Sequence, residues 1–257
     1  MYRILSTSKS GMNAYQSKID TISNNLSNST TTGYKKVDVA FQDLMTETLN
    51  RQGYRTNTEN TVMGTGTKAV NVPRNNTQGN LQVTGLATDI ALDGQGYFKV
   101  NLSDGSEAYT RDGTFKIDSL GRLVDANGNK LQMNYVNGFS EDNVQLKADN
   151  FSINTSGDVY MKVNGSYTKV AEVPVYTAVG DSAFASVGQN LFVPTEGADV
   201  VRTTTTSMYQ GYLEMSNVDM GTEMSDLIVA QRAYQMAGKG ITTADEMWQM
   251  INNMRSR

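Results

Sequence analysis

Five carboxylates, Asp104, Glu107, Asp112, Asp118 and Asp125, fall within one short stretch, a density that suits the paired acid and base of glycoside hydrolysis. Their neighbours argue for a plainer role. Asp104 and Asp112 directly precede a glycine, and Asp118 and Asp125 stand three residues before one. In that setting an Asp side chain typically serves a turn by bonding local backbone N–H groups. Asp125-Ala126-Asn127-Gly128-Asn129 opens like a calcium loop, but its glycine is misplaced and the twelfth position is Val136 instead of Glu. Gly94-Gln95-Gly96 is too short for a phosphate cradle and leads into Tyr97-Phe98-Lys99-Val100, a strand pattern and not a helix. The chain has no cysteine and no histidine, so thiolate nucleophiles, Cys/His zinc sites and imidazole proton shuttles are excluded by inventory. No catalytic, metal-binding or cofactor-binding residue is assigned, and no cofactor is expected.

These turns punctuate alternating strand patterns. Gly96–Val100, Thr114–Asp118 and Val159–Val163 are rich in aromatic and β-branched residues, separated by Asp104-Gly105, Asp112-Gly113, Asn127-Gly128, Ser156-Gly157 and Asn164-Gly165. The pattern predicts an antiparallel β domain of hairpins over residues 70–215. Before it, residues 37–69 read as an extended connector, the stretch from Asn50 to Lys68 being poor in apolar residues.

The two ends follow a different period. Leu5, Ser8, Met12, Tyr15, Ile19, Ile22 and Leu26 step by three and four, as do Met220, Glu223, Leu227, Ala230, Tyr234, Ala237, Ile241, Ala244, Trp248 and Ile251. Each series draws one stripe along a helix, over residues 1–36 and 216–257. Ser216-Asn217-Val218-Asp219 supplies a capping pattern for the second, and Arg255 and Arg257 stand where cations favour a helix C-terminus. The fold class is therefore α+β: long terminal helices that pair as a coiled coil, with a central antiparallel β domain. Two amphipathic helices separately capping a β domain have the same periodicity. Gly238 and Gly240 leave three readings open for the second helix: a kink, a break into two shorter helices, or a close approach of another backbone.

The outer face of the first helix is unusual. Between Ile4 and Tyr34 its only charges are Lys9, Lys18 and Asp20, the remaining positions holding Asn, Gln, Ser and Thr. Amides and hydroxyls bury against a neighbour at lower desolvation cost than ions. They are also mediocre helix formers, so such a segment orders on packing. Net charge is −4 over 257 residues with no basic run longer than Lys35-Lys36, which argues against nucleic acid as a partner. The longest apolar run, Leu227–Ala230, is far too short to span a bilayer. The opening MYRILSTSKSG lacks the apolar core of a signal peptide, so if the protein leaves the cytoplasm a cleaved secretory signal is not expected to take it there.

Ile22-Ser23-Asn24-Asn25-Leu26-Ser27-Asn28 followed by Thr31-Thr32-Gly33-Tyr34-Lys35 resembles the N-terminal signature of bacterial flagellar rod and hook proteins. The likeness continues through Gln78–Leu81, Asp93–Phe98, Tyr109–Gly113, Gln210–Val218 and Gln231-Arg232-Ala233-Tyr234. It implies a structural subunit with no active site, exported through the flagellar type III apparatus and polymerised helically into a hollow drive shaft of the basal body. Its implied partners are further copies of itself, adjacent proximal rod and hook subunits, the export apparatus and ring bushing proteins, with no membrane insertion. Length and a single β domain favour the distal part of the rod; a proximal rod or hook position and a carboxylate-dependent peptidoglycan-processing enzyme are the alternatives. The expected assembly seam is Leu5, Met12, Tyr15, Ile19, Ile22 and Leu26 against Leu227, Tyr234, Ile241, Trp248 and Ile251. The expected signature residues are Asn24, Asn25, Leu26, Asn28, Gly33, Tyr34 and Lys35.

Overall fold

The computed structural model describes residues 2–48, 62–136, 138–141, 143–163, 165–180 and 183–255. The chain forms two compact units, neither continuous in sequence: residues 1–27, 37–73 and 219–257 make one, and residues 28–36 and 74–218 the other.

The first unit is built on α1 (Tyr2–Ser27) and α2 (Met220–Arg255). In α1 the hydroxyls bond back to their own helix: Ser17 Oγ donates to Asn13 O, Thr21 Oγ1 to Ser17 O and Ser27 Oγ to Ser23 O. Such back-bonding satisfies these hydroxyls within the helix. Asp219 caps α2, its Oδ1 accepting from Gly221 N at 2.8 Å. The helices run antiparallel. The Tyr2 ring meets Trp248 edge-on at 5.5 Å between centroids. Towards the other end Asn25 Nδ2 donates to Glu223 Oε2 at 3.1 Å. Of the three readings left open for Gly238 and Gly240, a break is overturned, because α2 runs through both as one helix. A Cβ on Gly240 would lie 2.6 Å from Ser8 Oγ, so this glycine admits α1.

Residues 37–69 are not one extended run. Val39–Asp43 pairs antiparallel with Thr67–Asn71, Val39 facing Asn71 and Asp43 facing Thr67, and Thr46–Thr48 pairs with Val62–Gly64. The alternation Val37, Val39, Phe41 supports this ladder and buries Val39. The Phe41 ring packs on Tyr15 at 5.1 Å, beneath the Lys18 ammonium. Most of the expected Asn50–Lys68 connector, the Asn164 turn position and Arg257 lie outside the described residues.

The second unit is antiparallel throughout its ladders. A nine-stranded sheet holds Tyr97–Asn101 between Glu107–Thr110 on one side and Lys130–Leu131 with Val175–Ala178 on the other. A four-stranded sheet joins Asn134–Tyr135, Ser166–Glu172, Asp158–Val163 and Phe151–Ile153 in that order. Phe98, Val100, Phe115, Leu123, Leu146, Val159 and Met208 form the core. Gly105, Gly128 and Gly157 adopt positive φ, as the hairpin turns require. Helix α1 stops at Ser27; Asn28–Lys36, expected as the end of the first helix, belongs instead to this β unit, where Gly33 turns with φ 67°.

Candidate functional site

The carboxylates that invited a catalytic reading are turn and surface elements. Asp104 Oδ1 accepts from Ser106 N at 2.8 Å, Asp118 Oδ1 from Ser119 N at 2.6 Å and Asp125 Oδ1 from Asn127 N at 2.8 Å. The bonds from Ser106 hold the Asp104 carboxyl below the usual carboxylate range. Asp112 Oδ1 accepts from Thr114 N, and Glu107 pairs with Lys99 at 2.6 Å. A polar cleft of about 320 Å³ carries two further carboxylates, Asp158 and Glu172. Both are engaged, Asp158 with Lys169 at 2.5 Å and Glu172 with Arg202.

Two clusters of buried polar groups lie elsewhere, each containing a signature residue, Lys35 in one and Asn25 in the other. In the β unit, Glu214 is the hub. Its Oε1 accepts from Lys35 Nζ at 2.5 Å and from Gly79 N at 2.9 Å, and its Oε2 from Arg111 Nε at 2.5 Å. Each of the three side chains is no more than 4 % exposed. Lys35 Nζ also reaches Thr77 O at 2.9 Å, and the Arg111 guanidinium donates to Gly94 O and Gly96 O. Two cations share one carboxylate, and the surplus positive charge rests on backbone carbonyls. Burial pushes the Lys35 ammonium down from its ordinary 10.5, with Glu214 opposing.

Gly33 completes the arrangement. Its N–H donates to Glu214 O at 2.8 Å, and a Cβ there would lie 2.7 Å from Arg111 C. Thr32 Oγ1 donates to Asp112 Oδ1 at 2.9 Å, and the Arg74 guanidinium lies over the Tyr34 ring while donating to Lys35 O. Asn217 Oδ1 accepts from Lys36 N at 2.8 Å while its Nδ2 donates to Asn75 O and Thr77 O. Three sequence-distant motifs, around Gly33-Tyr34-Lys35, Arg111-Asp112 and Glu214 to Asn217, thus close on one another.

A second cluster lies in the helical unit. Asn25, 1 % exposed, accepts from Val37 N at 3.1 Å through Oδ1 and donates through Nδ2 to Val37 O at 2.8 Å and to the equally buried Glu223.

Of the expected seam, Ile22 is buried, and Leu5, Met12, Tyr15, Ile19, Leu26, Leu227, Tyr234, Ile241 and Trp248 are half-buried; Ile251 is exposed. The deepest contacts on α2 are Ala230, Ala244 and Glu223, and on α1 Ala14, Ile22 and Asn25. Among the signature residues Asn24 faces outward, and Asn28 Oδ1 accepts from Thr31 Oγ1. Sequence reasoning missed Arg111 and Glu214 as a buried pair. The available signal was an Arg and a Glu inside two separate motifs of the same resemblance.

Residues 5–35 match the flagella basal body rod protein family, residues 91–161 the D1 domain of flagellar hook protein FlgE/F/G, and residues 209–254 the C-terminal domain of the flagellar basal body rod FlgEFG proteins. The chain is 39 % identical to the flagellar basal-body rod protein FlgG of Borreliella burgdorferi, over 99 % of each chain. It is 32 % identical to the FlgG of Bacillus subtilis, over 99 % of this chain and 100 % of that one. The flagellar hook-basal body complex protein FlhP of Bacillus subtilis is also 32 % identical, with the same coverage.

Proposed function

The chain belongs to the flagellar basal-body rod family as a structural subunit of the distal rod, and on that premise we propose that copies of it assemble helically into a hollow shaft that transmits torque and conducts exported subunits. Membership of the family implies assembly with other rod and hook components. The observation that carries the proposal is the antiparallel pairing of α1 with α2 from Tyr2–Trp248 to Asn25–Glu223, within a chain that matches FlgG from end to end.

In this reading the helices wind as a coiled coil along the seam from Leu5 to Leu26 and from Leu227 to Trp248, and the paired ends pack against other copies. Heterologous contacts between identical subunits generate a helix when the rotation does not close. The Asn, Ser and Thr coat of α1 then meets neighbours without unpaired charge, and a channel wall of that composition holds few fixed charges that would trap a passing chain. The subunit reaches the cell envelope through the flagellar type III apparatus without signal cleavage, and its other contacts are with proximal rod, hook and ring bushing proteins. None of the described helices is long and apolar enough to cross a membrane.

Ile22, 4 % exposed, is the test position. Ile22→Asp places a carboxylate in the buried helix contact, and the expected outcome is loss of sedimentable polymer with the β unit still folded by dichroism and protease resistance. Normal shafts from this variant would overturn the seam.

A further inference from the structure

The apolar stripe of α2 carries little information about how far it is slid along α1. Ala230, Ala237 and Ala244 recur every seven residues, as do Leu227, Tyr234, Ile241 and Trp248. On α1 the large apolar positions Leu5, Met12, Ile19 and Leu26 repeat with the same period. Within these series a slide of one heptad superposes small residue on small and large on large, so their hydrophobic burial barely distinguishes the registers; the close Ser8–Gly240 approach lies outside them. In the series Glu223, Ala230, Ala237, Ala244 and Ile251, Glu223 is the one charged residue, and it is there that Asn25 makes its buried contact.

We propose that the Asn25–Glu223 pair is the register determinant of the helix pair. The spacing is consistent along the contact: the seventeen residues from Ser8 to Asn25 match the seventeen from Glu223 to Gly240, so Ser8 against Gly240 and Asn25 against Glu223 belong to one register. The slide that brings Ser8 to Met247 sets the Asn25 amide against the Ala230 methyl group, which accepts no hydrogen bond, and carries Glu223 past the last turn of α1; the opposite slide, to Ala233, carries Asn25 beyond the first residue of α2. Both side chains are 1 % exposed, so in the native register neither relies on bulk solvent. A buried polar group that loses its partner is penalised heavily, whereas a slid apolar contact is nearly neutral. Asn25 also clamps both backbone groups of Val37, so it fixes α1 against the returning chain as well as against α2. This role is distinct from adding stability, because a well-packed apolar pair holds helices together equally firmly while leaving register open.

The absence of cysteine from the chain provides a direct readout. An ideal Cβ at Gly240 lies 3.5 Å from Ser8 Cβ, at the short end of the disulfide range. In the full-length chain, S8C with G240C reports the native register, and S8C with A233C or M247C reports a slide of one heptad either way. Intramolecular cross-links are scored by gel mobility and mass spectrometry. With Asn25 and Glu223 present, only the 8–240 pair should close. In N25L/E223L, helicity should hold and the thermal midpoint should fall, because Val37 loses both of its bonds to Asn25, while the slid pairs rise from background to a level comparable with the native pair. Exchanging amide and carboxylate, N25E with E223Q, should return cross-linking to the 8–240 pair alone. Three results would overturn the proposal: exclusive 8–240 closure in N25L/E223L, which assigns register to the tight Ser8–Gly240 approach or to chain connectivity; closure of slid pairs in the unaltered background; or outright loss of helicity in N25L/E223L, which makes the pair a source of stability instead.

Discussion

At the scale of single residues, the β unit rests on an uncommon choice: three ionised side chains removed from water together. Glu214 receives Lys35, Arg111 and the Gly79 N–H, and Arg111 spends its remaining donors on backbone carbonyls of the Gly94–Gly96 turn. Desolvating an ion costs several kcal/mol, so such a cluster persists only because each member is bonded on several sides. Removing the shared anion leaves two buried cations facing each other, with Lys35 already depressed by burial. Glu214→Gln is therefore expected to destabilise the β unit by about 3–5 kcal/mol in denaturant unfolding. Lys35→Met should cost less in the Glu214→Gln background than alone, giving a coupling energy of about 0.5–3 kcal/mol in a double-mutant cycle. Additive single effects would mean that the carboxylate and the ammonium act independently.

At the scale of elements, the decisive feature is that Asn28–Lys36 leaves the helix and enters the β unit. Gly33 N–H bonds Glu214 O, Asn190 Nδ2 bonds Thr32 O, Arg74 bonds Lys35 O and Asn217 bonds Lys36 N. The sequence pattern places a protease-resistant core from about residue 70 onwards; the bonding network predicts a different fragment. After limited proteolysis, the peptide spanning 28–36 should co-elute with the 74–218 core through gel filtration and be recovered from it by mass spectrometry. A core that emerges without that peptide would show the bonds to be too weak to hold it. The helices were legible in the sequence because their signal is local: a stripe from Leu5 to Leu26, apolar at every position but Ser8 and stepping alternately by three and four, needs no distant partner to be recognised. The hairpins around Gly105, Gly128 and Gly157 were legible for the same reason, their turn chemistry lying within four residues. The pairing of Val39–Asp43 with Thr67–Asn71 was not, since both strands are short and each finds its partner across a long intervening segment. Likewise Lys35, Arg111 and Glu214 read one at a time as surface charges, because the burial that defines them is a product of the closed fold. Glu223 was visible as an acidic residue at a stripe position, but nothing in the stripe disclosed Asn25 as its partner.

At the scale of the whole chain, the two units are woven from discontinuous pieces, the backbone passing between them after residues 27, 36, 73 and 218. Each unit therefore needs both early and late segments, and neither is complete until nearly all of the chain is available. This is consistent with the proposed export if the chain passes through before it folds. The finished molecule keeps apolar groups in water that a solitary protein would cover: on α2, Met220 and Met224 are each 48 % exposed and Ile228 is 60 % exposed, in steps of four along one side of the helix. Contiguous exposed apolar surface marks an interaction site, and in a subunit whose family builds a rod the expected occupant is another copy. Burying one such side chain contributes about 1.5–3 kcal/mol, and each 1.4 kcal/mol is about tenfold in an association constant. The double change Met224→Ser with Ile228→Ser should therefore leave the thermal midpoint of the isolated chain within a few degrees of the original, since neither residue is buried in it. The critical concentration for polymerisation, read by sedimentation, should rise by about tenfold to a thousandfold. An unchanged critical concentration would show that this stripe faces solvent in the shaft, and the inter-subunit contact would then have to be carried by other surfaces of the chain.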